Sequence, residues 1–184
     1  PLIDRGELPD SSLVAMVPVS VHDRSDRPGR NQVSGMFSRL ETQIDDPAER
    51  MRTIQASMNA AKAQLREMTA QQIQIYTAIT QMPQMLTALT RTADKFPAYS
   101  VTISNVPGPR EQLYWNGARL DGMYPASIPV DGMAMNITQV SNNKNIDFGI
   151  TACRRSVPHV QRLIDYLEDA LVELEEAAGI KGKV

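Results

Sequence analysis

Residues 46–96 read as helix, and the segments on either side of them read as strands. The helical stretch opens on Asp46-Pro47-Ala48-Glu49: a capping side chain, a proline at the first helical position and an acid at the third. Met51, Ile54, Met58, Ala61, Leu65 and Met68 then recur at spacings of three and four, the mark of a helix buried along one side. Thr69 or a neighbour opens a second segment, "AQQIQIYTAITQMPQMLTALTRTAD", which Pro83 should kink or divide into two helices. Pro97 lies beyond its end, where proline is common. Long amphipathic helices set between strands must cover a sheet, which restricts the chain to layered α/β architectures.

The flanking segments supply that sheet. Residues 13–21 are rich in Val and read as a buried strand, and residues 32–41, "QVSGMFSRLE", as a second. The second would place Val33, Gly35, Phe37 and Arg39 on one face and Ser34, Met36, Ser38 and Leu40 on the other. From residue 98 the alternation returns: Tyr99, Val101 and Ile103 face one way, Ser100, Thr102 and Ser104 the other. "QLYWNGARLDGMYP" predicts a hairpin around an Asn116-Gly117 type I′ turn, and "MNITQVSNNKNIDFGITA" a second with Asn142-Asn143 in its turn. A last helix, capped by Ser156, carries Val160, Leu163, Ile164, Leu167, Leu171 and Leu174 on one stripe and stops at Gly179, before the tail "IKGKV". The order β-β-α-α-β-β-β-β-β-α implies an α/β protein: a mixed β-sheet covered by helices.

Composition narrows the function. Among 184 residues, 42% hydrophobic and 22% charged content are ordinary for a globular protein, and a net charge of −2 argues against a nucleic-acid partner. The single Cys153 excludes an internal disulfide and suits a reducing compartment, so a cytoplasmic location is expected. No apolar run approaches the roughly 20 residues that span a bilayer. The chain begins with Pro1, in the polar lead-in "PLIDRGELPDSS", which suggests a processed chain or a piece of something longer.

Most of the tempting chemistry has a plainer explanation. Ser20, His22 and Asp23 cannot chain into a triad on one strand, because Asp23 points away from the other two. His159, placed in the first turn of the last helix, has no second ligand at metal spacing, and no metal site is expected. Cys153 reads as a half-buried strand residue with only Arg154 and Arg155 near it to favour a thiolate. "DFG" at Asp147–Gly149 lies inside a hairpin strand with no glycine-rich phosphate loop before it. The Met stripe on the first helix is core, while Met82, Met85, Leu86 and Leu89 suit a packed interface better than an acyl channel.

"SNVPGPR", residues 104–110, is less easily dismissed. Pro107 and Pro109 lack N–H donors and must end the strand, and Pro107-Gly108 fits the centre of a type II turn with glycine at positive φ. A turn accounts for the prolines but not for Thr102 and Ser104 on one face with Asn105 next. Those donors fall at a strand end, where sites are often built.

The same residues carry a resemblance to a known family. "VTISNVPGPREQLYWNGARLDGMYPASIP" resembles the SNVPGP block of the bacterial wax ester synthase/diacylglycerol acyltransferases. "GMAMNITQVSNNKNIDFGITACRRSVP" is similar to their "NIT…VS…FG…AC" block, and "LPDSSLVAMVPVSV" to their entry into a second domain. The resemblance covers nearly the whole chain and is most specific over residues 99–178. It implies one half, the C-terminal domain, of a two-domain fold like that of chloramphenicol acetyltransferase, with residues 1–12 as lead-in, 13–96 as strands then long helices, and 97–184 as strands, hairpins and final helix. It implies transfer of a fatty acyl group from acyl-CoA, a co-substrate rather than a cofactor, to diacylglycerol or a long-chain alcohol. The second His of an HHxxxDG motif would act as general base in a direct attack on the thioester.

That motif is not in this sequence: His22 and His159 stand alone. No catalytic residue is therefore expected here, and the chain by itself is expected to be inactive, its partner being an N-terminal catalytic domain. The resemblance makes Ser104, Asn105, Pro107 and Gly108 the first choice for this domain's share of an inter-domain substrate tunnel, with Ser104 or Asn105 donating to the thioester oxygen. Asn136 is a further choice. Residues at His22, Arg155 and His159 depart from the family's pattern. Peripheral contact with the inner membrane or lipid bodies is expected of an enzyme with lipid products. The competing reading is a non-catalytic lipid- or partner-binding module that keeps only this fold half.

Overall fold

A computed structural model describes residues 11–20, 33–93 and 95–180. His22 and Asp23, and with them the triad question, lie outside the described residues, as does most of the C-terminal tail.

The elements come in the order expected: β1 (Val14–Ser20), β2 (Val33–Arg39), α1 (Pro47–Glu67), α2 (Ala70–Leu89), β3 (Val101–Val106), β4 (Tyr114–Trp115), β5 (Ala118–Arg119), β6 (Met135–Asn142), β7 (Asn145–Ala152) and α3 (Arg162–Ala177). Five strands form one mixed sheet in the order β2-β1-β3-β6-β7, with β4 and β5 in a separate pair. β1 runs antiparallel to β2, from Val14 opposite Arg39 to Ser20 opposite Val33. β3 is parallel to β1 and β6, and β7 returns antiparallel to β6. The parallel ladder between β1 and β3 covers only Ala15 and Met16; Pro18 has no N–H to extend it.

Caps explain the starts of α1 and α2. The Asp46 side chain accepts from Ala48 N–H at 2.9 Å, with Pro47 in the first turn. Thr69 opens α2 with a reciprocal capping box: its hydroxyl accepts from Gln72 N–H, and the Gln72 carboxamide accepts from Thr69 N–H. The α1 stripe faces inward as expected, with Leu65 buried and Ile54, Met58, Ala61 and Met68 half-buried, though Met51 stays exposed. Both α1 and α2 pack on β2, and α3 packs on α1. Ala15, Met36 and Val101 form the centre of the core, and Phe37 and Tyr99 meet with ring centroids 5.8 Å apart. On β2 the buried face is Ser34, Met36 and Ser38; Ser34 Oγ bonds Thr77 Oγ1 of α2 at 2.8 Å, which makes burial of that hydroxyl tolerable.

One expectation about the helices fails and another is narrowed. Pro83 does not divide the segment: α2 runs through it as one helix. The carbonyl its missing N–H would leave unbonded belongs to Ile79, on the exposed side where water can bond it. Ser156 does not cap α3, which starts at Arg162 after a run of turns; its N-cap, Gln161, makes no side-chain cap bond. Pro158 disfavours helical conformation at Val157 and gives Ser156 no N–H at the second helical position. His159 therefore sits in the preceding turn. At its other end α3 stops at Gly179 as expected, where Gly179 N–H donates to Glu176 and Ile180 N–H to Glu175.

Candidate functional site at the end of the central strands

β3 stops at Val106, immediately before Pro107, as the missing donors require. The expected type II turn does not form after it. Gly108 is not among the positive-φ glycines, and the segment runs on without regular secondary structure to meet the end of the β6–β7 hairpin. Asn143 N–H donates to the Pro109 carbonyl at 2.8 Å. A Cβ on Gly108 would fall 1.8 Å from the Ser141 carbonyl oxygen. Glycine stands there for close approach of two backbones, not for turn geometry. Pro107, Gly108 and Pro109 thus brace the end of β3 against the end of β6.

The β3–β6 register separates the two donors that the sequence put side by side. Ser104 lies beside Thr138 and Asn105 beside Gln139, so their side chains leave opposite faces of the sheet. Ser104 is half-buried and Asn105 exposed. Asn136 is level with Thr102, two residues or about 7 Å back along the strand from Ser104 and on the same face. It is buried, and its carboxamide oxygen accepts from Thr138 Oγ1 at 3.1 Å. Of the residues singled out, Asn105, Pro107 and Gly108 therefore gather at the exposed strand end, while Ser104 and Asn136 belong to a covered polar face.

Residues 121–130 form that cover, which the sequence did not reveal. Ser127 Oγ bonds Thr138 Oγ1 at 2.7 Å, and Asp147 Oδ2 accepts from Met123 N–H at 2.7 Å and from Asn142 Nδ2 at 3.0 Å. A Cβ on Gly149 would lie 1.6 Å from the Pro125 carbonyl oxygen, so the cover rests directly on the sheet. Asp147 and Gly149 of "DFG" serve this packing. The alternation of Asn136, Thr138 and Asn142 was the available signal, since buried polar side chains need partners. Thr102 Oγ1 is buried on this face with no hydrogen-bond partner among the described residues.

The other face, shared by Asn105, is apolar and partly open. Ile103, Ile137 and Ile150 lie in one cross-strand row, and Asn105, Gln139 and Phe148 in the next. Phe148 and Ile146 are exposed and Ile103, Ile137 and Ile150 half-buried. On β6 the side carrying Asn136, Thr138 and Asn142, with Val140 between them, is buried, and the side carrying Ile137 and Gln139 is only half-buried. Beyond the strand end the β4–β5 hairpin has the expected Asn116-Gly117 turn, with both residues at positive φ, and carries Trp115 81% exposed. The β6–β7 turn is Asn143-Lys144 rather than Asn142-Asn143, because Asn142 still pairs with Asn145; only Asn143 takes positive φ.

Cys153 is exposed just past β7, not half-buried within a strand. Hydrogen bonds from the Ser156 backbone, then its hydroxyl, then the Arg155 backbone hold its thiol below the usual value, with the Arg155 charge a smaller contributor.

Comparison with known proteins assigns this geometry to a lineage. Residues 30–175 match the family described as the WS/DGAT C-terminal domain. The chain is 46% identical over 181 residues to a probable diacylglycerol O-acyltransferase of Mycobacterium tuberculosis, covering 97% of this chain and 40% of that protein. It is 40% identical over 170 residues to O-acyltransferase WSD of Acinetobacter baylyi, covering 92% of this chain and 37% of the relative. The solved wax ester synthase/diacylglycerol acyltransferase from Marinobacter aquaeolei superposes with a TM-score of 0.84 at 41% identity, over 97% of this chain and 40% of that one. The chain thus spans about 40% of the length of the relatives it matches. With the SNVPGP strand end, the mixed sheet and these matches in agreement, the chain belongs to the wax ester synthase/diacylglycerol acyltransferase family, as its C-terminal domain.

Proposed function

We propose that the chain works as the C-terminal domain of an acyl-CoA-dependent O-acyltransferase acting on diacylglycerol or a long-chain alcohol, and that it forms one wall of a substrate tunnel between two domains. The supporting observation is the position of Asn105: an exposed carboxamide at the end of β3, next to the apolar rows of Ile103, Ile137, Ile150 and Phe148. An apolar wall with one oriented polar group suits a long acyl chain carrying a thioester at its head. A histidine of the N-terminal domain would take the proton from the acceptor hydroxyl, and the oxygen would attack the thioester carbonyl. As the carbonyl oxygen gains charge, Asn105 Nδ2 donates to it; collapse re-forms the carbonyl and expels the CoA thiolate. Ser104, on the opposite face, is not the second donor to that oxygen. Ser104 and Asn136 support the wall through Thr138, and Pro107 and Gly108 fix the strand end.

The test is acyl transfer from labelled acyl-CoA by the two-domain enzyme and by this chain alone. Labelled triacylglycerol or wax ester from the first and none from the second is expected. No ester product from the two-domain enzyme with either acceptor would refute the reading and favour a non-catalytic binding module.

A further inference from the structure

α2 is mounted inside out. Its half-buried positions, Ile73, Tyr76, Thr77, Thr80, Gln81, Gln84 and Thr87, are mostly polar, and they hold the helix to the rest of the domain. Thr77 bonds Ser34, and Gln84 Nε2 donates to the Asp131 carbonyl at 2.6 Å. Ile75, Ile79, Met82, Leu86 and Leu89 lie on the opposite side, between 45% and 79% exposed. Their spacing of four, three, four and three places them on one straight stripe, and α2 contains no charged residue. A surface helix ordinarily turns such a stripe to the core; a contiguous apolar stripe facing outward marks a contact surface.

We propose that this stripe is a docking seam for an apolar helical surface in the N-terminal part of the two-domain enzyme, an inference that rests on the function proposed above. Three observations select that occupant. The matched relatives extend well beyond this chain, which covers 40% of them, so chain is available to cover the stripe. The alternating spacing is that of a helix–helix seam, and the absence of charge matches an uncharged apolar partner. Five side chains fall short of the roughly 20–30 residues a side of a stable interface between separate molecules, which disfavours a second copy. Within one polypeptide the linker supplies the effective concentration that a small seam lacks.

The experiment is cysteine labelling in the two-domain enzyme, with Cys153 and any other native cysteine replaced by serine. Ile79→Cys and Leu86→Cys report the seam, and Gln64→Cys, on an exposed position of α1, serves as reference. Maleimide labelling about tenfold or more slower at 79 and 86 than at 64, independent of protein concentration and without lipid, is the expected result. Equal rates at the three positions would overturn the seam. So would protection that disappears on dilution, which indicates a second copy, or protection that appears only with phosphatidylglycerol vesicles, which indicates a lipid surface. Acyl transfer is measured on the same samples. Protection without acyl transfer supports the seam while refuting the catalytic reading, and acyl transfer with unprotected cysteines does the reverse.

Discussion

α1 and α2 are neighbours of similar length, both well capped and both striped with apolar residues at spacings of three and four, yet they point those stripes in opposite directions. α1 turns Ile54, Met58 and Leu65 inward; α2 turns Thr77, Thr80 and Gln84 inward and leaves Ile79, Leu86 and Leu89 outside. β6 shows a partial likeness to α2, burying Asn136, Thr138 and Asn142 beside Val140 while Ile137 stays half-open. Periodicity states that an apolar face exists; what covers it is decided by the rest of the molecule. In this domain α1 turns its apolar stripe to the core, while α2 and β6 leave apolar side chains open.

Four substitutions sharpen or break that contrast. The largest effect is expected at Leu65→Ala, which truncates the one buried side chain of α1 and should cost about 2–5 kcal/mol in denaturant unfolding. Leu86→Ala in the same chain should change stability by no more than about 0.5 kcal/mol, because the side chain is half exposed. Equal losses at the two sites would end the distinction between the helices. Next in size is Gly108→Ala, whose Cβ would sit on the Ser141 carbonyl; it should destabilise by about 1–3 kcal/mol and accelerate amide exchange at Asn143. An unaffected Asn143 amide would show that the PGP segment is not braced on the hairpin. The smallest effect has the opposite sign. Thr102→Val removes a buried hydroxyl with no partner among the described residues and should be neutral or stabilising by up to about 1 kcal/mol, read from the same unfolding curves. A clear loss of stability would mean that the hydroxyl is bonded.

The architecture is legible in the sequence because local chemistry marks it. Asp46-Pro47, Thr69 with Gln72 and Asn116-Gly117 each declare a boundary by the backbone groups they satisfy or the φ they allow. The element order and the mixed sheet rest on those boundaries. Where a signal has two physical origins, the sequence does not choose between them. The Gly108 requirement is backbone proximity rather than positive φ, and Ser156 has the chemistry of a cap although Pro158 leaves it no N–H at the second helical position. The site is half legible. "SNVPGP" locates the strand end, but adjacency in sequence conceals that Ser104 and Asn105 point to opposite faces. The cover formed by residues 121–130 is not visible at all, because it depends on pairs such as Ser127 with Thr138 and Met123 with Asp147, distant in sequence.

The most direct measurement is single-turnover acyl transfer by the two-domain enzyme carrying Asn105→Ala, beside Ser104→Ala. Loss of an oxyanion donor predicts a rate for Asn105→Ala that is about 10²–10³-fold lower, with acyl-CoA affinity little changed and Ser104→Ala far milder. Unchanged turnover and unchanged acyl-CoA affinity in Asn105→Ala would contradict the claim that the end of β3 is this domain's half of the site.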